Sequence, residues 1–217
     1  MTKTTEQLKE IAKSIRQDII KSLTNAGSGH LGASLGLADV FTMLYFKVLN
    51  HNFENPLMKN RDKLVLSIGH VAPVLYTTLA HSGYFPIEEL YDLRKINSRL
   101  QGHPSLTSGL PGIETSSGSL GQGLSIAVGM ALANKIDGND GKIFCINGDG
   151  ELQEGQIWEA AMSASNFELN NLVSIIDRNY VQIDGDTASV MEIEPLYEKW
   201  EVFGWHVSEC DGNNIED

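Results

Sequence analysis

The chain has 217 residues, 41% of them hydrophobic, enough to bury a substantial core as one α/β domain. Sixteen basic residues against 28 acidic ones leave a formal charge of −12, which argues against nucleic acid and anionic membrane as partners. No apolar run reaches membrane-spanning length and the opening MTKTTEQLKE lacks a signal-peptide core, so a soluble cytoplasmic protein is expected, with Cys145 and Cys210 as inert core thiols and not a disulfide framework.

Residues 5–25 carry Leu8, Ile11, Ile15, Ile19 and Leu23 at steps of three or four among charged residues, which predicts an amphipathic helix ending at Gly27. The GSGHLG that follows has the letters of a dinucleotide-binding loop, but it succeeds a helix where that loop needs a strand, so the reading fails. His30 lies in this loop. Residues 35–49 read as a second helix, apolar nearly all round and therefore buried. KLVLS at 63–67 predicts a short buried strand with Gly69-His70 at its carboxyl end, the ligand side of open α/β sheets. Pro73 then opens a helix to His81. His51, His81 and His206 stand in contexts that read as structural. Residues 97–117 form a long loop that offers His103; it runs straight into GSLGQG and a small-residue helix, LSIAVGMALANK, which points to an ordered loop with a function.

The most informative stretch is 142–185. KIFCIN and LVSIID predict strands buried on both faces of a parallel sheet, and residues 152–165 between them have helical spacing. One strand, helix, strand crossover brings Gly148-Asp149-Gly150 and Asn179 side by side at the carboxyl edge. A carboxylate and an amide carbonyl are hard oxygen ligands suited to Mg²⁺ or Ca²⁺ and not to zinc, and glycines let an anion approach the backbone. Taken alone, Gly-Asp-Gly is a common tight turn and Asn179 a turn residue. Beyond this unit an acidic loop, a helix over 193–203 and a strand-like WHVSEC are expected, and NNIED reads as the start of another helix.

SGHLGAS, LVLSIGH, GHP, GIETSSGSLGQG, GDGELQEG and D-x-N-x-V-x-IDG occur in that order, and from about Leu8 onward the chain resembles the N-terminal domain of the transketolase family. The resemblance implies a thiamine diphosphate-binding fold, a doubly wound, mainly parallel sheet flanked by helices. It implies that Asp149, Asn179 and the backbone carbonyl of Val181 hold Mg²⁺, with Ca²⁺ or Mn²⁺ as substitutes. Gly150 and His70 would contact the diphosphate of thiamine diphosphate, and Gly118, Ser119 and Leu120 would line its aminopyrimidine. His30, His70 and His103 are the implied catalytic residues, handling donor hydroxyls and proton transfers. Glu154, counted among the cofactor-binding residues, and Glu159 match acidic positions that link paired active sites across the family's subunit interface.

Two departures carry information. Ser119 stands where the family usually has Pro, and Val71-Ala72-Pro73 after His70 is similar to the split transketolases, in which this domain is its own polypeptide. The family's cofactor-activating glutamate lies in a second domain, so a partner chain with the pyrimidine-binding domain is expected. The implied assembly is a dimer of heterodimers that moves a two-carbon ketol unit between sugar phosphates, inactive without the partner. A further family histidine finds no counterpart before Asp217, so the family's domain is expected to be incomplete here. A 1-deoxyxylulose-5-phosphate synthase-like enzyme and a non-catalytic cofactor-binding or regulatory subunit remain alternatives; a nucleotide-binding domain is disfavoured by the absence of a P-loop.

Overall fold

Thr4 opens α1 (Thr5–Ala26) with a capping box: its hydroxyl accepts from the Gln7 amide while its own amide donates to the Gln7 side chain. Gly27, at φ 66°, closes the helix in the left-handed conformation that suits glycine. Leu8, Ile15, Ile19 and Leu23 are buried as the spacing predicts, Ala12 joins their stripe, and Ile11 is only half-buried. The computed structural model describes residues 3–217, and these divide into two compact units. The first comprises the chain up to Arg61, Gly69–Gly118 and Cys210–Asp217; the second comprises Asp62–Ile68 and Ser119–Glu209.

The first unit is helical. The single helix expected over 35–49 is instead three pieces: α2 (Gly32–Gly36), α3 (Ala38–Met43) and a π-helical turn, Leu44–Val48. The first break falls at Gly36, and Arg16 braces it. Its Nε takes the Leu35 carbonyl at 3.2 Å, an acceptor left over at the break, while its two terminal nitrogens grip Asp39 at 2.9 and 2.6 Å. A 3-10 turn, Gly69–Val71, leads into α4 (Ala72–His81), which carries Pro73 in its first turn as predicted. The loop over 97–117 is tied to itself, with the Ser117 amide on the Pro104 carbonyl at 3.2 Å and the Leu106 amide on Ser116 Oγ at 3.0 Å. A Cβ on Gly69 would stand 2.7 Å from the Ser117 backbone, so this loop can lie where it does only against a glycine. The last residues form turns and not a helix start, and bury Ile215 against Leu8 and Ala12. Cys210 is exposed, which corrects its assignment to the core; Cys145 is fully buried as expected.

The second unit holds a parallel sheet in the order β1 (Lys63–Leu66), β2 (Ile143–Gly148), β3 (Leu172–Asp177), with register Lys63 to Ile143 and Ile143 to Leu172. β2 is central and buried from Ile143 to Asn147. β3 departs from the expectation of burial on both faces: among the described residues it has one neighbouring strand, and only Leu172 is buried. α5 (Gly123–Asp137) and α6 (Gly155–Asn166) pack Leu124, Ala127, Ala131, Ile157 and Ala161 on Val65, Ile143 and Cys145. α6 starts at Gly155 and not at 152, because Gly150–Gln153 winds as a 3-10 turn. The predicted helix over 193–203 is the shorter α8 (Leu196–Val202); before it come a small hairpin, β4 (Val181–Gln182) with β5 (Gly185–Asp186), and the short α7 (Thr187–Val190).

The expected strand at WHVSEC does not form. Trp205 donates its indole N–H to the Ala161 carbonyl at 3.0 Å and sets its ring edge-on to Trp200, and these side-chain anchors fix the segment outside any ladder. Trp158, Trp200 and Trp205 form one aromatic cluster, with ring centroids 5.7 Å apart for the first pair and 4.9 Å for the second. Among the described residues no helix is long and apolar enough to cross a membrane.

Candidate active site

The first unit assembles the three candidate histidines. His70 lies in the 3-10 turn after β1, and its ring meets that of His30 edge-on with centroids 4.9 Å apart. His103 stands beside Gly118, where an added methyl would touch its ring at 3.6 Å. Burial lowers the His70 pKa to about 4, with the charges of His30 and His103 pushing the same way, so the ring is neutral at pH 7. Burial also lowers His103, helped by Arg94 and His30. Arg94 is a member of this cluster that the sequence did not single out; it donates to Ser28 Oγ at 2.9 Å. His51 and His81 are held apart from this group: His51 pairs with the Tyr84 hydroxyl and Tyr45 carbonyl, and His81 with Asp18. His206 is exposed.

In the second unit the β2 and β3 ends stand side by side as expected: Gly148 is in register with Asp177, and the Asp149 amide donates to the Asp177 carbonyl at 3.2 Å. Asp149 is 1% exposed. Its Oδ1 accepts from the Gly150 amide at 2.8 Å; its Oδ2 accepts from the Tyr180 amide at 2.6 Å and from Arg178 Nη1 at 2.9 Å. Asn179 is turned the other way, its Oδ1 on the Val181 amide at 3.0 Å and its Nδ2 on Asp177 at 2.9 Å. Burial raises the Asp177 pKa, the Asn179 bond opposes that, and Asp149 adds to it. A Cβ on Gly150 would lie 2.7 Å from Gln182 Cβ, so the turn after β2 and the β4 strand can approach only because this residue is glycine.

Glu151 escaped the sequence reading. It is 1% exposed and its carboxylate collects four donors from three segments: Ser67 Oγ at the end of β1, the Gly121 amide at 2.8 Å, Asn147 Nδ2 at 3.0 Å and the Gly148 amide at 3.2 Å. Ser67 in turn accepts from the Gly123 amide at 3.0 Å, so a buried anion and a hydroxyl serve the N-terminus of α5, which has no side-chain cap of its own. The loop with Ser119 and Leu120 is thereby fixed to the turn that carries Asp149. Glu154 is the exposed N-cap position of α6 and backs the turn at Gly121; Glu159 is exposed on the same helix.

Comparison with known proteins gives this arrangement a context. The family described as "Transketolase, thiamine diphosphate binding domain" matches residues 7–217. The chain is 45% identical over 210 residues to the 6-deoxy-6-sulfo-D-fructose transketolase subunit SqwG of Clostridium sp. (strain MSTE9), covering 97% of this chain and 76% of that one. It is 42% identical over 202 residues to an apulose-4-phosphate transketolase subunit of Phocaeicola vulgatus, covering 93% and 71%. A solved transketolase from Campylobacter jejuni superposes with a TM-score of 0.89 at 37% identity, over 96% of this chain and 34% of that one. The chain thus spans about three quarters of the named subunits and a third of the solved transketolase. With a parallel sheet flanked by helices and a match over nearly its whole length, the chain belongs to the transketolase family, in its thiamine diphosphate binding domain.

Proposed function

We propose that this chain is the cofactor-holding subunit of a two-chain transketolase, moving a two-carbon ketol unit between sugar phosphates with Mg²⁺ and thiamine diphosphate. The observation that carries the proposal is the buried Asp149 carboxylate at the carboxyl end of β2, already paired with a cation, the Arg178 guanidinium. Asn179 Oδ1 and the Val181 carbonyl belong to the same loop and complete a hard oxygen set that fits Mg²⁺, with Ca²⁺ or Mn²⁺ able to replace it. Thiamine diphosphate, when bound, supplies the electron sink that the ketol transfer needs.

The chain's own residues would divide the remaining work. Asp149, Asn179 and Val181 would hold the metal, with Gly150 beside the diphosphate. Glu151 would keep the turn at Gly121 in a fixed place, and with it the loop that offers Gly118, Ser119 and Leu120 to the aminopyrimidine. A neutral His70 would act as a hydrogen-bond partner and not as a cation, and His30 and His103 would accept and return protons of the sugar hydroxyls. The named relatives are subunits of which this chain covers about three quarters, which supports a partner chain with the pyrimidine-binding domain, in a dimer of heterodimers to which Glu154 and Glu159 contribute. Isothermal titration of thiamine diphosphate with Mg²⁺ tests the reading. Binding by the chain alone, tightened by a partner chain and abolished in Asp149→Asn, is expected, and ketol transfer by the pair should follow. Cofactor binding without ketol transfer for any sugar phosphate would favour a non-catalytic subunit.

A further inference from the structure

We infer that Arg178 is a resident counter-cation for Asp149, holding the carboxylate in place of a divalent ion and yielding to that ion when it binds. The inference rests on the reading of Asp149 as a metal ligand. Three features point to it. The guanidinium addresses Asp149 Oδ2 through Nη1 alone, at 2.9 Å, and that same nitrogen reaches Thr187 Oγ1 at 2.8 Å. Its other nitrogens are committed elsewhere, Nε and Nη2 to Glu194 Oε1 at 3.1 and 2.9 Å, and its plane lies 3.9 Å over the Tyr180 ring. Arg178 therefore has somewhere to stay once Asp149 is taken: losing one bond of several lets it swing onto Glu194 and Tyr180 without leaving the loop. The third feature is the backbone. Tyr180 sits at φ 66°, uncommon for a residue with a side chain, and its amide donates to the same Asp149 oxygen that Arg178 holds. Asn179, between them, spends its Oδ1 on the Val181 amide. Turning that oxygen toward a metal and freeing Asp149 Oδ2 both involve the short loop from Arg178 to Val181, whose Tyr180 ring and Asp149 partner Arg178 contacts together.

A competitor for the carboxylate weakens the metal by the strength of the contact it must give up, and a charge-assisted hydrogen bond of this kind is worth about a tenfold change in affinity. The test is Mn²⁺ titrated into the purified chain, alone and with saturating thiamine diphosphate, read from the electron paramagnetic resonance signal of the free ion. Arg178→Gln should bind Mn²⁺ about tenfold more tightly than the wild type and melt lower than the wild type in EDTA, with Mn²⁺ closing that gap. Glu194→Gln removes the charged alternative anchor and should weaken Mn²⁺ binding; Glu194 Oε2 also accepts from the Leu196 amide at 2.7 Å, a bond the glutamine oxygen can keep, and damage to the fold would move both variants the same way. Unchanged or weaker binding by Arg178→Gln, with the wild type binding, overturns the inference alone. A wild type that binds no Mn²⁺ under either condition overturns the metal assignment and this inference with it.

Discussion

The Asp149 and Glu151 cluster and the histidine cluster answer the same problem, ionisable groups withdrawn from water, in opposite ways. Around the two carboxylates each oxygen meets backbone amides, a hydroxyl, a side-chain amide or a guanidinium, so an anion is matched donor for donor. Around His70 the charges that act on the ring are two more imidazoles, so burial is answered by giving up the proton. The first cluster should therefore fail by losing partners and the second by changing pH.

The strongest perturbation strips the first cluster of its anion. Glu151→Ala leaves four buried donors without an acceptor and should cost about 4 kcal/mol, measured by urea denaturation followed by circular dichroism; Glu151→Gln, which restores one acceptor oxygen, should recover about half. Asp149→Asn keeps the shape but drops the charge facing Arg178 and should cost about 2 kcal/mol, a difference that high salt should reduce only in part, because Asp149 is buried while Arg178 is partly exposed. Gly69→Ala forces a methyl into the Ser117 backbone and should cost about 2 kcal/mol by overpacking, visible as faster proteolysis of the 97–117 loop.

A milder perturbation bears on the contrast itself. His70 has a folded pKa of about 4 against 6.5 unfolded, so the unfolded chain binds the proton first; the contribution is full above pH 6.5 and is lost as pH falls toward 4. Since the ring is only partly buried, the loss should be about 1 kcal/mol. His70→Gln should flatten that part of the pH profile of the urea midpoint, whereas Asp149→Asn should leave it in place.

Much of this was legible because short-range pattern and final environment agree. Leu8, Ile15 and Ile19 repeat at helical steps and form one buried stripe, and the apolar runs on either side of α6 become paired strands whose ends meet at Asp149. The rest depends on partners distant in sequence. Gly36 is the one local sign of the break after Leu35, while the partner for the freed carbonyl, Arg16, comes from α1. Trp205-His206-Val207 alternates like a strand, but an indole anchored on α6 decides its course. Glu151 reads as an ordinary early-helix carboxylate because its donors come from the end of β1, the Gly121 turn and the end of β2. Arg178, the middle letter of D-x-N, passes as a wildcard. Its signal was available: a cation between Asp177 and Asn179, one crossover from Asp149, can be expected to pair with one of the carboxylates nearby.

The tryptophan cluster gives the chain an optical division of labour. All three tryptophans lie in the unit that carries Asp149, while the histidine unit has Tyr45, Tyr76, Tyr84 and Tyr91 but no indole. Fluorescence excited at the red edge, where tyrosine does not absorb, therefore reports on the sheet alone. Tyr180 and Tyr197 share that unit, so tyrosine bands in the near-ultraviolet dichroism sum over both units, and the indole emission is the signal that follows the carboxylates without a label.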